Sequence, residues 1–347
     1  MPEPRLDFAA ALPHVGVFGG VRRFLEIGNQ LIARGHSFTL YHPDGSAPQW
    51  LPFHGRVCAL ADLGAARHDV LMTADPSLRQ PFEAARANVK LFYCVHKNLP
   101  ERDIATHPNW TLLANSSALR ERLWRRYRVR AEDAIGGVNL EMFHPPTAPR
   151  GSNDVFRVLV YGRLSRPGKG STMAVRAVES FARSMAQRSP AWAGSVAHPV
   201  KLVLFDHVGL GNERDPRPDF TSDLPHEFHV NLPQPELAHL YASCDVYLSA
   251  ERRAGWNNTV AEAMATGVPV ICTRAGTADL VVPGETAWLV RWRHAWFFAR
   301  ALQRVARDQR LREHLRRTAL RHVQSFSWGR VADRVEHVAR ERLLARV

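Results

Sequence analysis

Three stretches of this 347-residue chain hold residue types that can act on a charged small molecule. The most informative is LAHLYASCDVYLSAERRAGWNNTVAEAMATGVPVICTRAGTADLVVPGETAWLV (237–290). Its spacing predicts a helix ending at Ala242, a strand over VYLSA, a loop through Ala254, Gly255, Trp256, Asn257 and Asn258, and a helix starting near Thr259. A loop with Gly and Asn that runs into a helix start presents free N–H groups and a positive dipole end. Those suit a diphosphate or the hydroxyls of a sugar. Glu262 is placed in the first turn of that helix. Its two carboxylate oxygens can accept from two vicinal hydroxyls, as on ribose; equally, the residue can serve only to stabilise the helix start.

The second stretch is VLVYGRLSRPGKGSTMAVRAV (158–178). It reads as a strand, then Gly162-Arg163, then Lys169-Gly170, with Ser171 as the N-cap of a helix. Arg163 and Lys169 beside a helix N-terminus could clamp a diphosphate, or they are ordinary solvated loop cations. The third stretch is HVGVFGGVRRFLEIGNQLIARGHSFTLYHPDG (14–45), where Gly19 and Gly20 precede a helix. A glycine pair lets backbone approach a ligand closely, or makes a plain turn.

The elements that position these residues alternate short apolar runs with longer helical patterns, which predicts α/β architecture with parallel sheets. Strands are predicted at 8–12, 37–42, 69–73, 90–95 and 110–115, and again at 156–162, 201–206, 227–232, 246–250, 268–273 and 287–290. Helices are predicted at 20–34, 171–187, 235–243, 258–266 and 294–307. The segment HPPTAPRGSND (144–154) has the punctuation of a linker, so the domain boundary is set near 150. Two Rossmann-like domains facing a cleft are expected, with ligands beyond the carboxyl ends of the strands. The Arg-rich end, 312–347, reads as helix with a break at SFSW (325–328).

Composition bounds the partners. With 45% hydrophobic and 23% charged residues the chain is globular, not disordered. The net charge of +13 would ordinarily suggest an anionic partner. Of the 46 basic residues 42 are arginine, and 15 of those lie in 291–347 against five acids. No helix-turn-helix, zinc-finger or aromatic RNA-binding signature accompanies them, so nucleic acid is not the expected partner. Cys58, Cys94, Cys244 and Cys272 form no C-x-x-C pair, and Cys94 and Cys272 sit in apolar runs; all four read as reduced thiols of a cytoplasmic protein. Neither a signal peptide nor a membrane span is expected.

Taken in order, the three stretches resemble the retaining nucleotide-sugar glycosyltransferases of family 4, which have the GT-B fold. The Gly-Gly turn with the later R-G-H resembles that family's start. LLANSSALRERL and GGVNLEMFHP (136–145) resemble its interdomain approach, YGRL…KG its phosphate-binding pair, EAMATGVPV its most specific signature, and FSW its final crossover helix. The resemblance implies a first domain over 1–150, a nucleotide-sugar domain over 151–325, and a helix over 326–347 that packs back on the first domain. It implies that Arg163 and Lys169 bind the donor diphosphate, that Glu262 holds the ribose, and that the backbone of Gly255, Trp256, Asn257, Asn258 and Thr259 contacts phosphates and sugar. Gly19 and Gly20 would lie near the phosphates, and His96 would face the transferred sugar. No cofactor is implied; a nucleoside-diphosphate sugar, UDP- or GDP-linked, is the co-substrate. The implied acceptor is a glycan, a glycolipid or a small molecule. No metal is implied, since two cations serve the phosphates and the chain has no Asp-x-Asp triplet.

One departure stands out. The family carries a second Glu eight positions before the first, where this chain has Ala254; Glu251 is three residues too early. That motivates two further readings: a catalytically inactive nucleotide-sugar-binding protein, and, from the charge, a glycosyltransferase acting on nucleic acid. The cluster Arg120, Arg122, Arg125, Arg126, Arg128 and Arg130 reads either as a solvated helix face or as a contact with an anionic membrane, which would put the protein at the inner face of the membrane.

Overall fold

The computed structural model describes residues 4–96, 98–147, 155–187, 199–208 and 214–345. The chain divides into two units, Met1–Gly137 with Phe326–Val347, and Val138–Ser325.

In the first unit the strands are β1 (Asp7–Ala11), β2 (Ser37–His42), β3 (Arg56–Ala59), β4 (Arg67–Thr73), β5 (Arg86–Cys94), β6 (Trp110–Ala114) and β7 (Glu132–Asp133). The helices are α1 (Gly19–Ala33), α2 (Arg79–Ala84), α3 (Arg102–Ala105) and α4 (Ser117–Tyr127). All strands pair in parallel, in the order β3-β2-β1-β4-β5-β6-β7. The second unit has β8 (Phe156–Tyr161), β9 (Val200–Asp206), β10 (His226–Val230), β11 (Val246–Ser249), β12 (Val270–Cys272) and β13 (Trp288–Leu289), with α5 (Ser171–Ala186), α6 (Gln234–Ala242), α7 (Asn258–Ala265), α8 (Ala295–Arg307) and α9 (Gln309–Val323). Its parallel order is β10-β9-β8-β11-β12-β13. Helix α10 (Trp328–Leu344) belongs to the first unit.

The central strands are near-continuous apolar runs because helices cover both faces of each sheet. In the first unit, Phe24, Ile27 and Leu31 of α1 share one core with Trp328, Val331 and Val335 of α10. Arg23 pins this arrangement. It is buried, and its guanidinium donates to Tyr93 Oη (2.8 Å) and Gly136 O (2.7 Å) and lies over the rings of Tyr93 and Trp328. Cys94 and Cys272 are free thiols whose burial pushes them up to about 12, so neither is a ready nucleophile.

The boundary set near 150 lies outside the described residues. The units part between Gly137 and Val138, because the approach segment is anchored in the second unit by Phe143, buried against Tyr241 at 6.0 Å between ring centroids.

Neighbouring strands of the second sheet carry an ion cluster. Glu227 on β10 accepts from Arg157 of β8 (2.9 Å), lies 2.5 Å from Lys201 Nζ of β9, and also meets His229. Hydrogen bonds from Arg157 hold its carboxyl down at about 2. A depressed carboxyl contributes stability above its unfolded value and loses it as pH falls toward the folded one. The melting-temperature gap between the parent and Glu227→Gln should therefore be full at neutral pH and shrink from about pH 4.5 down to about 2. Thermal melts across that range check this; a gap independent of pH would rule it out.

Candidate functional site

In the second unit the predicted phosphate residues gather at the carboxyl ends of β8 and β11. Arg163 follows β8, and Lys169 ends the single 3-10 turn Pro167–Lys169 before α5. That turn docks on the strand end of β11. Arg252 N donates to Gly168 O (2.8 Å), and Gly170 has a left-handed φ of 76° with no room for a Cβ against the Ala250 carbonyl. The docking brings Lys169 Nζ to 2.6 Å from Glu251 Oε1. Glu251 is 4% exposed, and its carbonyl accepts from Thr273 Oγ1 (2.6 Å). Lys169 also lies over the Tyr161 ring, 5.8 Å from its centroid, and burial pushes that phenol up.

Arg163 is 5% exposed. Its guanidinium meets Asp206 Oδ1 at the end of β9 (3.4 Å) and donates to His207 O. Each candidate phosphate ligand therefore has a carboxylate behind it. Arg163 is therefore not a solvated loop cation, whereas the Lys169 side chain, ion-paired to Glu251, stays about a third exposed. Ser171, read as the N-cap of α5, is its first residue instead; Gly170 is the cap and offers no side chain. The buried Ser171 Oγ has no hydrogen-bond partner in the structure.

The 254–259 loop enters α7 as the sequence predicts, but its side chains do structural work. Asn257 is the N-cap, and its Oδ1 accepts from Val260 N (3.2 Å) and Thr259 Oγ1 (2.9 Å). Thr259 Oγ1 in turn accepts from Tyr247 Oη (2.7 Å). Asn257 and Trp256 are buried. What Gly255 and the buried Trp256 and Asn257 can offer a ligand is therefore backbone, while Asn258 is half-buried. Gly276 faces this loop: its φ is 68°, a Cβ there would fall 2.6 Å from Ala254 Cβ, and its carbonyl accepts from Asn257 N (2.9 Å).

Helix α7 begins at Asn258, so Glu262 lies just past its first turn, which has no acidic residue. That removes the reading of Glu262 as a helix-start stabiliser. Its buried carboxylate accepts from Tyr241 Oη at 3.1 Å.

In the first unit, Gly19 and Gly20 form the first turn of α1 and do not precede it; neither has a positive φ. Their lack of side chains leaves the helix start bare, since Phe18 at the cap makes no side-chain bond there. A Cβ on Gly20 would be 3.8 Å from Val95, so the helix start adjoins the end of β5. His96 follows Val95 and is exposed. Sequence reasoning missed His14, in the loop after β1, whose imidazole burial holds below its ordinary value and whose Nδ1 accepts from Gly16 N. It also missed Glu251 and Asp206 as partners of the two cations.

Two parallel doubly wound sheets with a last helix returning to the first unit define the GT-B glycosyltransferase fold class. Solved structures with that fold match over nearly the whole chain. A glycosyltransferase from Rickettsia africae aligns with a TM-score of 0.73 at 16% identity, covering 98% of this chain and 99% of that one. HepE of Anabaena, solved with UDP and glucose, aligns at 0.71 and 16%, covering 96% and 99%. Residues 155–308 match the glycosyl transferases group 1 family, so the second unit carries a domain of that family. The D-inositol 3-phosphate glycosyltransferase of Saccharomonospora viridis is 30% identical over 252 residues, 67% of this chain and 56% of the relative. That of Paenarthrobacter aurescens is 28% identical over 240 residues, 64% and 55%. The chain spans about half the length of the curated relatives it matches.

Proposed function

We propose that this protein is a retaining, family 4 type glycosyltransferase that moves a sugar from a nucleoside diphosphate, UDP or GDP, to an acceptor hydroxyl without a metal. The observation that carries the reading is the placement of Lys169 at the start of α5 and of Arg163 at the neighbouring strand ends, against Asp206 and His207, with the loop into α7 following the adjacent strand β11. As the C1–O bond to the diphosphate breaks, negative charge grows on the leaving oxygen. Lys169, Arg163 and the N–H groups opening α5 and α7 are fixed donors for that charge. The new bond forms between C1 and the acceptor oxygen on the same face, and the acceptor proton passes to the departing phosphate. Glu262 accepts from the ribose hydroxyls, Tyr241 orienting its carboxylate. The backbone of residues 255–259 contacts phosphates and sugar, Gly19 and Gly20 leave the α1 start open to phosphate, and His96 meets the transferred sugar.

The names of the curated relatives support a small polar acceptor, an inositol phosphate among them; a glycan or glycolipid fits the same chemistry. Work at the cytoplasmic face, with the α4 arginines against anionic lipid, accords with this. Arg128 and Arg130 both lie over the half-exposed Trp124, at 5.6 and 5.5 Å. No helix among the described residues is long and apolar enough to cross a membrane.

The test is a thermal-shift screen with nucleoside diphosphates, then nucleotide release and product anomeric configuration by NMR with sugars on the best base. Stabilisation by one diphosphate and an α-product from an α-donor are expected. Ala254 favours a second reading, an inactive nucleotide-sugar binder; stabilisation without any nucleotide release would establish it in place of the first.

A further inference from the structure

Far along the second unit, the surface of α8 carries a feature that the transfer reaction does not use. Trp292 is 65% exposed and Trp296 is 50% exposed, the largest aromatic exposures among the described residues. Both lean on Phe297, at 5.1 and 4.9 Å between centroids. Behind them Arg300 and Arg304 follow Trp296 at four-residue steps on the outward face of α8, whose inward face buries Phe298, Leu302 and Val305 in the core. Arg300, Arg304, Arg307 and Arg310 then line an open groove of about 820 Å³ beside α9. Its acids are Asp308, paired with Arg304 at 3.1 Å, and Glu313, paired with Arg316 at 3.3 Å.

Exposed tryptophans cost free energy in water unless something covers them. Three occupants are conceivable, and charge together with access to the indole ring faces decides among them. A second copy meeting this face symmetrically would set Arg300 and Arg304 against themselves. A single-stranded nucleic acid needs open ring faces for stacking. Here the Arg300 guanidinium lies over the Trp296 ring, 5.2 Å from its centroid, and takes one such face. An anionic lipid surface accepts the whole set: indole rings settle at headgroup depth, and a helix lying flat presents its arginines to the phosphates.

We infer that the Trp292, Trp296, Arg300 and Arg304 face of the second unit docks on an anionic lipid bilayer. This surface is separate from the α4 arginines and does not depend on the transfer reaction. The experiment is co-sedimentation of the full chain with phosphatidylcholine vesicles, with and without phosphatidylglycerol. Binding is expected only with phosphatidylglycerol, weakening with salt. Trp292→Ala/Trp296→Ala and Arg300→Glu/Arg304→Glu should each weaken it by roughly tenfold or more, at unchanged melting temperature. Should the tryptophan pair fail to fold, the arginine pair alone decides. Parent-like vesicle binding by the folded variants, with loss only in Arg120→Glu/Arg126→Glu, overturns the inference. So does a shift in oligomeric state caused by the tryptophan pair, or a single-stranded RNA that displaces the chain from vesicles through those tryptophans.

Discussion

Lys169→Ala should lower turnover by roughly 10²-fold or more, the scale of losing one donor to the charge of a transition state. The loss has two sources here. On the proposed reading the variant removes a cation from the leaving phosphate, and it also takes the ammonium away from Glu251. Glu251 is almost fully buried, and its negative charge, no longer offset by the ammonium, repels a diphosphate bound beside it. Lys169→Ala/Glu251→Gln should therefore turn over faster than Lys169→Ala alone, although it carries one more substitution. Glu251→Gln by itself keeps a hydrogen-bonding partner for the ammonium and should cost less than either. A double variant no better than Lys169→Ala would mean that Glu251 has no electrostatic bearing on the donor.

Gly170→Ala should be nearly as damaging, by a different route. The left-handed backbone costs a side chain roughly 1–2 kcal/mol, and the added methyl has to push the turn away from the Ala250 carbonyl. That turn is what delivers Lys169, so stability and turnover should fall together. Gly168 lies in the same turn with open space around it, and Gly168→Ala should leave both near the parent values. Melting temperature and kcat measured on both variants check this. Equal effects at 168 and 170 would place the constraint elsewhere.

These two cases mark how far the chain can be read without coordinates. Lys169 and Arg163 are legible because their motif is local: a strand end, two cations and a helix start within twelve residues or so. Their carboxylates are not, since Glu251 lies 82 positions from Lys169 and Asp206 lies 43 from Arg163. Only the parallel order β9-β8-β11 brings them together. The central strands are legible as apolar runs such as KLVLFD, whereas β3 (RVCA) and β7 (Glu132–Asp133) are short edge strands with charged or half-buried residues and leave no such run. The sequence places Asn257 in the loop before α7 without assigning its side chain; its burial and its bond to Val260 N make it the cap. The charge excess points to a partner, yet composition cannot say that Trp292 and Trp296 would share a surface with Arg300.

The return of α10 to the first unit has a consequence for how the protein is made. Gly137 N donates to Phe326 O at 2.9 Å, so the chain leaves the first unit and re-enters it at one point. The whole second unit is an insertion between those two residues. A ribosome must therefore complete 138–325 before Trp328, Val331 and Val335 emerge to fill the core that α1 began. Domains usually fold in the order of their synthesis. Here the unit begun first is finished last, and its nascent core, with Arg23 still lacking the Trp328 ring, waits open on the ribosome.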